Sequence, residues 1–219
     1  MIKEVYFSAE GLEGKSHQML AELTAYRQRH KNQKIVPSKI ALLVLDVQKY
    51  FLHKNSHAFV PSAPAILLGI QTLIFRFNKC ELPVIFTKHI DVPDRASMMG
   101  QWWNDIITEA SNQSQLADEI AAQAVNVIQK VTYDAFYLTR LDDILKAKGI
   151  KQLVITGLLT HLCCESTARS AFQHDYEVFF TIDGTATYNE DHHRATLLNL
   201  SHGFALPVLV QEVLDAIDR

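Results

Sequence analysis

Apolar residues in this chain arrive in short continuous runs, separated by stretches with helical spacing. Runs at residues 40–46, 83–87, 125–129, 151–156, 178–182 and 206–210 read as buried strands. Between them, residues 63–77 place Ile66, Ile70 and Ile74 at four-residue spacing, the repeat of one helix face. Further helices are expected over 115–123, 139–148, from the Cys163 region to about 174, and over 191–201. Ahead of the first strand, Gly14 to Lys31 forms an amphipathic helix with Met19, Leu20, Leu23 and Tyr26 on one side. Strands alternating with helices of this length predict an α/β fold. The expected form is a Rossmann-like, three-layer α/β/α single domain with a predominantly parallel six-stranded sheet. Residues 1–36 read as an N-terminal extension and 37–219 as the domain proper, with no repeat or linker inside it.

Composition narrows the picture. With 219 residues, 48% hydrophobic and 21% charged, the chain can bury a large core as one unit. Its 21 basic and 24 acidic residues give a net charge of -3, which carries no footprint for nucleic acid or an anionic membrane. No apolar run approaches spanning length, and the opening Met1–Val5 lacks the apolar core of a secretion signal. Three cysteines, two of them adjacent, do not build a disulfide framework, and a reducing cytoplasm is the expected setting.

The chemistry concentrates at the ends of strands. The run 153–156 ends in Gly157, passes through small and polar residues, and enters a helix with Cys163 in its first turn. Helix N-termini present unpaired N–H groups and favour negative charge, so a thiol there is expected to have a lowered pKa. Cys163 should then alkylate quickly near neutral pH, ahead of Cys80 and Cys164. Adjacent Cys163 and Cys164 equally suit inert packing, the common fate of free cysteines. Two further runs end in Asp46 and Lys130. Asp46 alone suits a cap and Lys130 alone a solvated strand end. Ligands of open α/β sheets sit at the carboxyl ends of the strands, however, so three adjacent strands would deliver Asp46, Lys130 and Cys163 to one pocket. There a carboxylate can take the proton of a thiol, while an ammonium keeps that carboxylate ionised.

With these residues in place, the chain resembles the isochorismatase-like hydrolase superfamily, which includes cysteine amidohydrolases such as nicotinamidases and N-carbamoylsarcosine amidases beside the isochorismatases. The matching pieces are 43–51, 83–88, Lys130 with 133–136 and Thr139, 157–168 and 183–186, in family order over about residues 38–215. The resemblance implies a catalytic triad of Asp46, Lys130 and Cys163. It also implies a non-proline cis peptide at Leu158–Leu159 that aims the N–H groups of Leu159 and Cys163 at the substrate oxygen. Assembly as a homo-oligomer, dimer or tetramer, follows from the same resemblance.

Histidines and aromatics supply the candidate pocket wall. His89, Trp102, Trp103, Tyr133, Phe136 and His161 are the candidate substrate contacts. The superfamily's nicotinamidases carry a metal built around an aspartate-x-histidine pair; His89-Ile90-Asp91 has the reverse order. The reading adopted is no metal and no cofactor, with His89 lining the pocket and His53 and His57 in a surface loop. His192 and His193 are expected to face solvent. Residues 93–112, with Arg95, Met98, Met99, Trp102 and Trp103, read equally as a lid over a small planar substrate or as an oligomer contact. The expected activity is hydrolysis of a C–N bond in a small amide or ureido substrate through an acyl-enzyme. The alternative is isochorismatase chemistry in siderophore-type metabolism, vinyl-ether hydrolysis to 2,3-dihydro-2,3-dihydroxybenzoate and pyruvate. The N-terminal extension, His161 and Cys164 resemble siderophore-pathway isochorismatases, but those generally carry a non-nucleophilic residue where this chain has Cys163.

Overall fold

The structure is a computed structural model and describes residues 2–92 and 98–218. Six parallel strands form one sheet: β1 (Ile40–Leu45), β2 (Val84–His89), β3 (Val127–Lys130), β4 (Gln152–Leu158), β5 (Glu177–Ala186) and β6 (Leu206–Val208), in the order β3-β2-β1-β4-β5-β6. Every residue of β1 and β4 is buried, as a parallel sheet covered on both faces requires. The helices are α1 (Leu12–Glu22), α2 (Thr24–Arg29), α3 (Lys49–Leu52), α4 (Ala63–Lys79), α5 (Met98–Trp103), α6 (Asp118–Ala121), α7 (Leu141–Ala147), α8 (Glu165–Gln173), α9 (Glu190–Gly203) and α10 (Val210–Ile217). Among them, α4 packs on α10, and α8 packs on α9. Ile66, Ile70 and Ile74 of α4 are all fully buried, so the four-residue spacing marks its core face.

Several elements depart from the sequence pattern, and β3, read as a buried strand, lies at the sheet edge with Val127 and Gln129 exposed. The N-terminal helix breaks at Leu23 into α1 and α2, although Met19 and Leu23 are buried on the expected side. The expected helix over 115–123 shrinks to the single turn α6. Tertiary hydrogen bonds take its first residues: Ala117 N–H donates to Val47 O at 2.8 Å, and Lys49 N–H donates to Gln115 O at 2.9 Å. The last strand stops at Val208, and α10 begins two residues later. Its buried Val210, Val213 and Ile217 lie at spacings of three and four, a helical stripe readable in the sequence.

Two backbone features shape the carboxyl end of the sheet. Gly157 has φ +118, and a Cβ there would lie 2.0 Å from the Leu45 carbonyl oxygen, so only glycine lets β4 pass β1 at this point. Asp46, immediately after β1, has φ +49. A left-handed non-glycine residue costs about 1–3 kcal/mol and persists only where its surroundings enforce it. The Asp46 N–H supplies one such tie, lying 3.2 Å from both the carbonyl and the hydroxyl oxygen of Thr87.

Candidate active site

Asp46, Lys130 and Cys163 meet beyond the carboxyl ends of the strands, by a route the pattern of runs did not indicate. The strands bearing Asp46 and Lys130 are not neighbours, because β2 lies between β1 and β3. The length of the lysine side chain closes that gap. Lys130 Nζ lies 2.6 Å from Asp46 Oδ2, and both side chains are wholly buried. The same ammonium donates to Cys163 Sγ at 3.3 Å and to the Thr132 carbonyl at 2.7 Å. Thr87 of β2 donates its hydroxyl to Asp46 Oδ1 at 2.7 Å, so the second carboxylate oxygen is also held. Thr87 escaped the sequence reading; its signal is a hydroxyl that follows the apolar Val84, Ile85 and Phe86 of β2.

Cys163 sits in a turn of π-helix, Thr160–Cys164, that leads into α8. The preceding Leu158–Leu159 peptide bond is cis. The Leu159 carbonyl accepts from the N–H groups of Leu162 and Cys164, at 3.1 and 3.2 Å, which ties the turn to the end of β4.

Electrostatics at this point correct the sequence reading. Burial pushes the Cys163 thiol up to about 12, with Lys130 pulling it down and Asp46 adding to the rise. The expected lowered pKa fails because Cys163 is only 4% exposed, and dehydration of a thiolate outweighs the pull of the Lys130 ammonium. Burial alone would lower Lys130 as well; the Asp46 carboxylate outweighs it and holds the ammonium above the ordinary lysine range. The resting arrangement is therefore a neutral thiol beside an ion pair. Iodoacetamide alkylation of Cys163, followed by mass spectrometry, should keep accelerating as pH rises through about 9. A plateau reached by about pH 7 would refute dehydration as the dominant influence. The exposed Cys80 should label as an ordinary surface thiol, contrary to the slow reaction expected from sequence, and the buried Cys164 should stay unlabelled in the folded protein.

A cleft opens against Leu159 and Leu162 at the turn that carries Cys163, while Cys163, Asp46 and Lys130 themselves do not line it. His89, Asp91, Trp103, Tyr133, Leu159 and Tyr188 all line it. Trp103 donates its indole N–H to the Tyr133 hydroxyl at 2.7 Å, fixing two aromatic walls together. Asp91 Oδ1 faces His89 Nε2 at 3.2 Å, and Asp91 Oδ2 accepts from the Ile107 N–H at 2.8 Å. Burial works against the Asp91 charge, but the His89 and Ile107 hydrogen bonds prevail and keep its carboxyl below the usual range. Gln48, fully buried and unremarked in the sequence reading, exchanges hydrogen bonds with the His89 backbone at 2.8 and 3.0 Å. Among the described residues, no three His, Cys, Asp or Glu side chains converge as a metal-ligand set.

The other sequence candidates fall outside the cleft wall. Trp102 is 71% exposed. Phe136 stacks on His174 at 4.8 Å and belongs to a separate aromatic cluster with Tyr176. His161 bonds to the Thr187 hydroxyl and stacks on His192 at 4.3 Å; burial lowers its pKa to about 4. His193, expected to face solvent, is fully buried because the first turn of α9 packs inward on Tyr6 and Phe7. His57, assigned to a surface loop, is half-exposed and lines the cleft mouth 3.7 Å from Asp105. Arg95 lies outside the described residues.

The family model described as the isochorismatase domain matches residues 40–212. The chain belongs to the isochorismatase family. Relatives within it include Nicotinamidase 3 of Arabidopsis thaliana, 40% identical over 184 residues that cover 82% of this chain and 87% of the relative. The ureidoacrylate amidohydrolase RutB of Yersinia enterocolitica is 41% identical over 193 residues, covering 76% and 84% respectively. Among solved structures, a cysteine hydrolase from Pseudomonas syringae pv. phaseolicola shares the fold with a TM-score of 0.81 at 24% identity, covering 85% of this chain and 95% of that one. The family region begins with β1, so residues 2–39 and their contacts with the site stand outside it. This isochorismatase-family chain is a hydrolase, and the position of its ionisable groups bears on the bond it cleaves.

Proposed function

We propose that this protein hydrolyses a C–N bond in a small amide or ureido compound through a covalent acyl-enzyme on Cys163. The observation that carries the reading is one ammonium, Lys130 Nζ, held 2.6 Å from a buried carboxylate and 3.3 Å from a buried thiol. Nothing in vinyl-ether hydrolysis needs that thiol, which needs only a general acid. Two relatives whose names denote amide-bond hydrolysis, at 40% and 41% identity, support the same side.

In this mechanism Asp46 accepts the thiol proton as Sγ attacks the substrate carbonyl carbon, forming a tetrahedral oxyanion. The N–H groups of Leu159 and Cys163 receive that oxyanion. Asp46 then returns the proton to the departing nitrogen, which leaves as ammonia or an amine, and the carbonyl re-forms as a thioester from an amide or a thiocarbamate from a ureide. A water molecule, deprotonated by Asp46, attacks that carbonyl; the acid leaves and the thiol is restored. Lys130 offsets the negative charge at each stage. A thiol kept neutral at rest resists oxidation, and the proton transfer occurs where it is useful, in contact with substrate. His89, Trp103, Tyr133 and Tyr188 form the walls against which a flat substrate packs. A cytoplasmic setting and a dimer or tetramer belong to the same reading; the exposed Met98 and Trp102 of α5 offer apolar area for a second copy.

The test is a panel of small primary amides and ureides together with isochorismate, assayed for ammonia and for pyruvate. Ammonia release that disappears on alkylation of Cys163 is the expected result. Pyruvate release from isochorismate that survives alkylation, with no amide turned over, would overturn the proposal.

A further inference from the structure

Residues 2–7 precede the family region, yet they touch the walls of the cleft and the turn beneath the sulfur. Lys3 Nζ donates to the His57 carbonyl at 2.6 Å and lies 4.7 Å from the ring centroid of Tyr188. The Glu4 N–H donates to the Tyr188 carbonyl at 2.9 Å. The N–H groups of Tyr6 and Phe7 both donate to Ser62 Oγ, at 2.9 and 3.1 Å, anchoring the segment at the start of α4. Beyond that anchor the Tyr6 side chain turns inward and is 6% exposed. Its hydroxyl accepts from the Thr187 N–H at 2.9 Å and lies 3.0 Å from His193 Nδ1. Thr160 Oγ1 reaches the same nitrogen at 3.2 Å. Thr160 is the first residue of the π-helical turn that carries Cys163.

We propose that Tyr6 is a positioning residue: its hydroxyl, through His193 and Thr160, holds the turn that sets Cys163 against Lys130 and Asp46. This rests on the role given to Cys163 above. The 3.3 Å contact between Sγ and Nζ depends on where the turn sits, and a hydrogen-bonded knot in a dry core resists small displacements better than apolar packing does. Burial lowers the His193 pKa to about 3, so the ring stays neutral and the knot is not disturbed by a buried charge. Lys3 and Glu4 extend the device to the cleft wall, so residues 2–7 act as a strap across the site.

The variant Tyr6→Phe keeps the ring and removes the hydroxyl. Its kcat should fall roughly 10-fold or more, the scale of a small misplacement of reacting groups. KM should stay within about twofold, since the cleft wall is untouched. The pH dependence of Cys163 alkylation should also move to higher pH, because the sulfur drifts from the ammonium that opposes its dehydration. Ser62→Ala, which loosens the strap without touching the hydroxyl, should give a smaller change of the same sign in both measurements. If Tyr6→Phe does not fold, Ser62→Ala carries the test. A purely structural role would lower the melting temperature and leave both kcat and the alkylation profile at wild-type values; that result in a folded variant overturns the proposal. The alkylation profile is read by mass spectrometry without turnover, so it judges the strap even if Cys163→Ala proves active and the thioester mechanism fails.

Discussion

Replacing Cys163 by alanine is expected to leave a folded protein with kcat lowered roughly 10⁴-fold or more, the loss typical when a covalent nucleophile is removed from a site that retains its other groups. Cys163 is 4% exposed and packs within a turn whose neighbours Thr160 and Cys164 are fully buried, so the smaller side chain leaves only a slight void. Folding should survive for a second reason. The Asp46–Lys130 ion pair at 2.6 Å and the Lys130 bond to the Thr132 carbonyl at 2.7 Å do not depend on the thiol. KM should change little, because the cleft walls at Trp103, Tyr133 and Tyr188 are intact. Steady-state ammonia release together with far-UV circular dichroism checks both halves. A folded Cys163→Ala protein that keeps a tenth or more of its wild-type kcat, on the order of 10³-fold above expectation, would remove the nucleophile from the mechanism.

Lys130→Met has a double consequence. Breaking one partner out of a buried ion pair leaves an uncompensated charge and costs about 3–5 kcal/mol. Thermal unfolding should therefore show a large drop in melting temperature, and kinetics must be measured well below it. The catalytic loss adds to this: an ammonium in contact with both the base and the nucleophile stabilises charge as it develops, and kcat should fall roughly 10²-fold or more with KM less affected. Lys130→Arg should not restore full activity, since a planar fork does not fit the space of a point charge held by three partners. The sign of the pH dependence follows from the raised Lys130 pKa. A group whose pKa is higher in the folded state stabilises fully below its unfolded value, here 10.5, and loses that contribution as pH climbs through the folded value. The wild type should thus keep this contribution across the neutral range and lose it only in strong alkali, whereas Lys130→Met should lack that alkaline limb. A folded Lys130→Met enzyme with near-normal kcat would break the triad.

The dependence on Tyr6 bears on how the site is partitioned along the chain. The family region from residue 40 to 212 contains the carboxylate, the ammonium and the thiol, but the knot under the thiol takes one hydroxyl from outside it. A chain trimmed to the family region would keep every reacting group and lose that support.

Local periodicities, and the elements they locate, are legible in the sequence alone. Apolar runs marked the strands, though the run read as a buried β3 belongs to an exposed edge strand, and the four-residue repeat of Ile66, Ile70 and Ile74 marked the inner face of α4. Both signals are short-range, since side-chain direction along a strand or helix repeats within a few residues. The strand ends also placed Asp46, Lys130 and the Cys163 turn at the same edge of a parallel sheet. Strand order was beyond that reasoning. It put β2 between the strands of Asp46 and Lys130, brought in Thr87 as a second holder of the carboxylate, and made the reach of a lysine necessary. Burial was equally out of reach: His193 looked like a polar residue on a helix start and lies in the core, because α9 rolls toward Tyr6, 187 positions away in the chain. The thiol shows the same limit. A helix start lowers the pKa of a cysteine in contact with water, and only the packing around Cys163 revealed that dehydration prevails there. Contacts made across the whole length of the chain decide burial and pairing, and no window of neighbouring residues contains them.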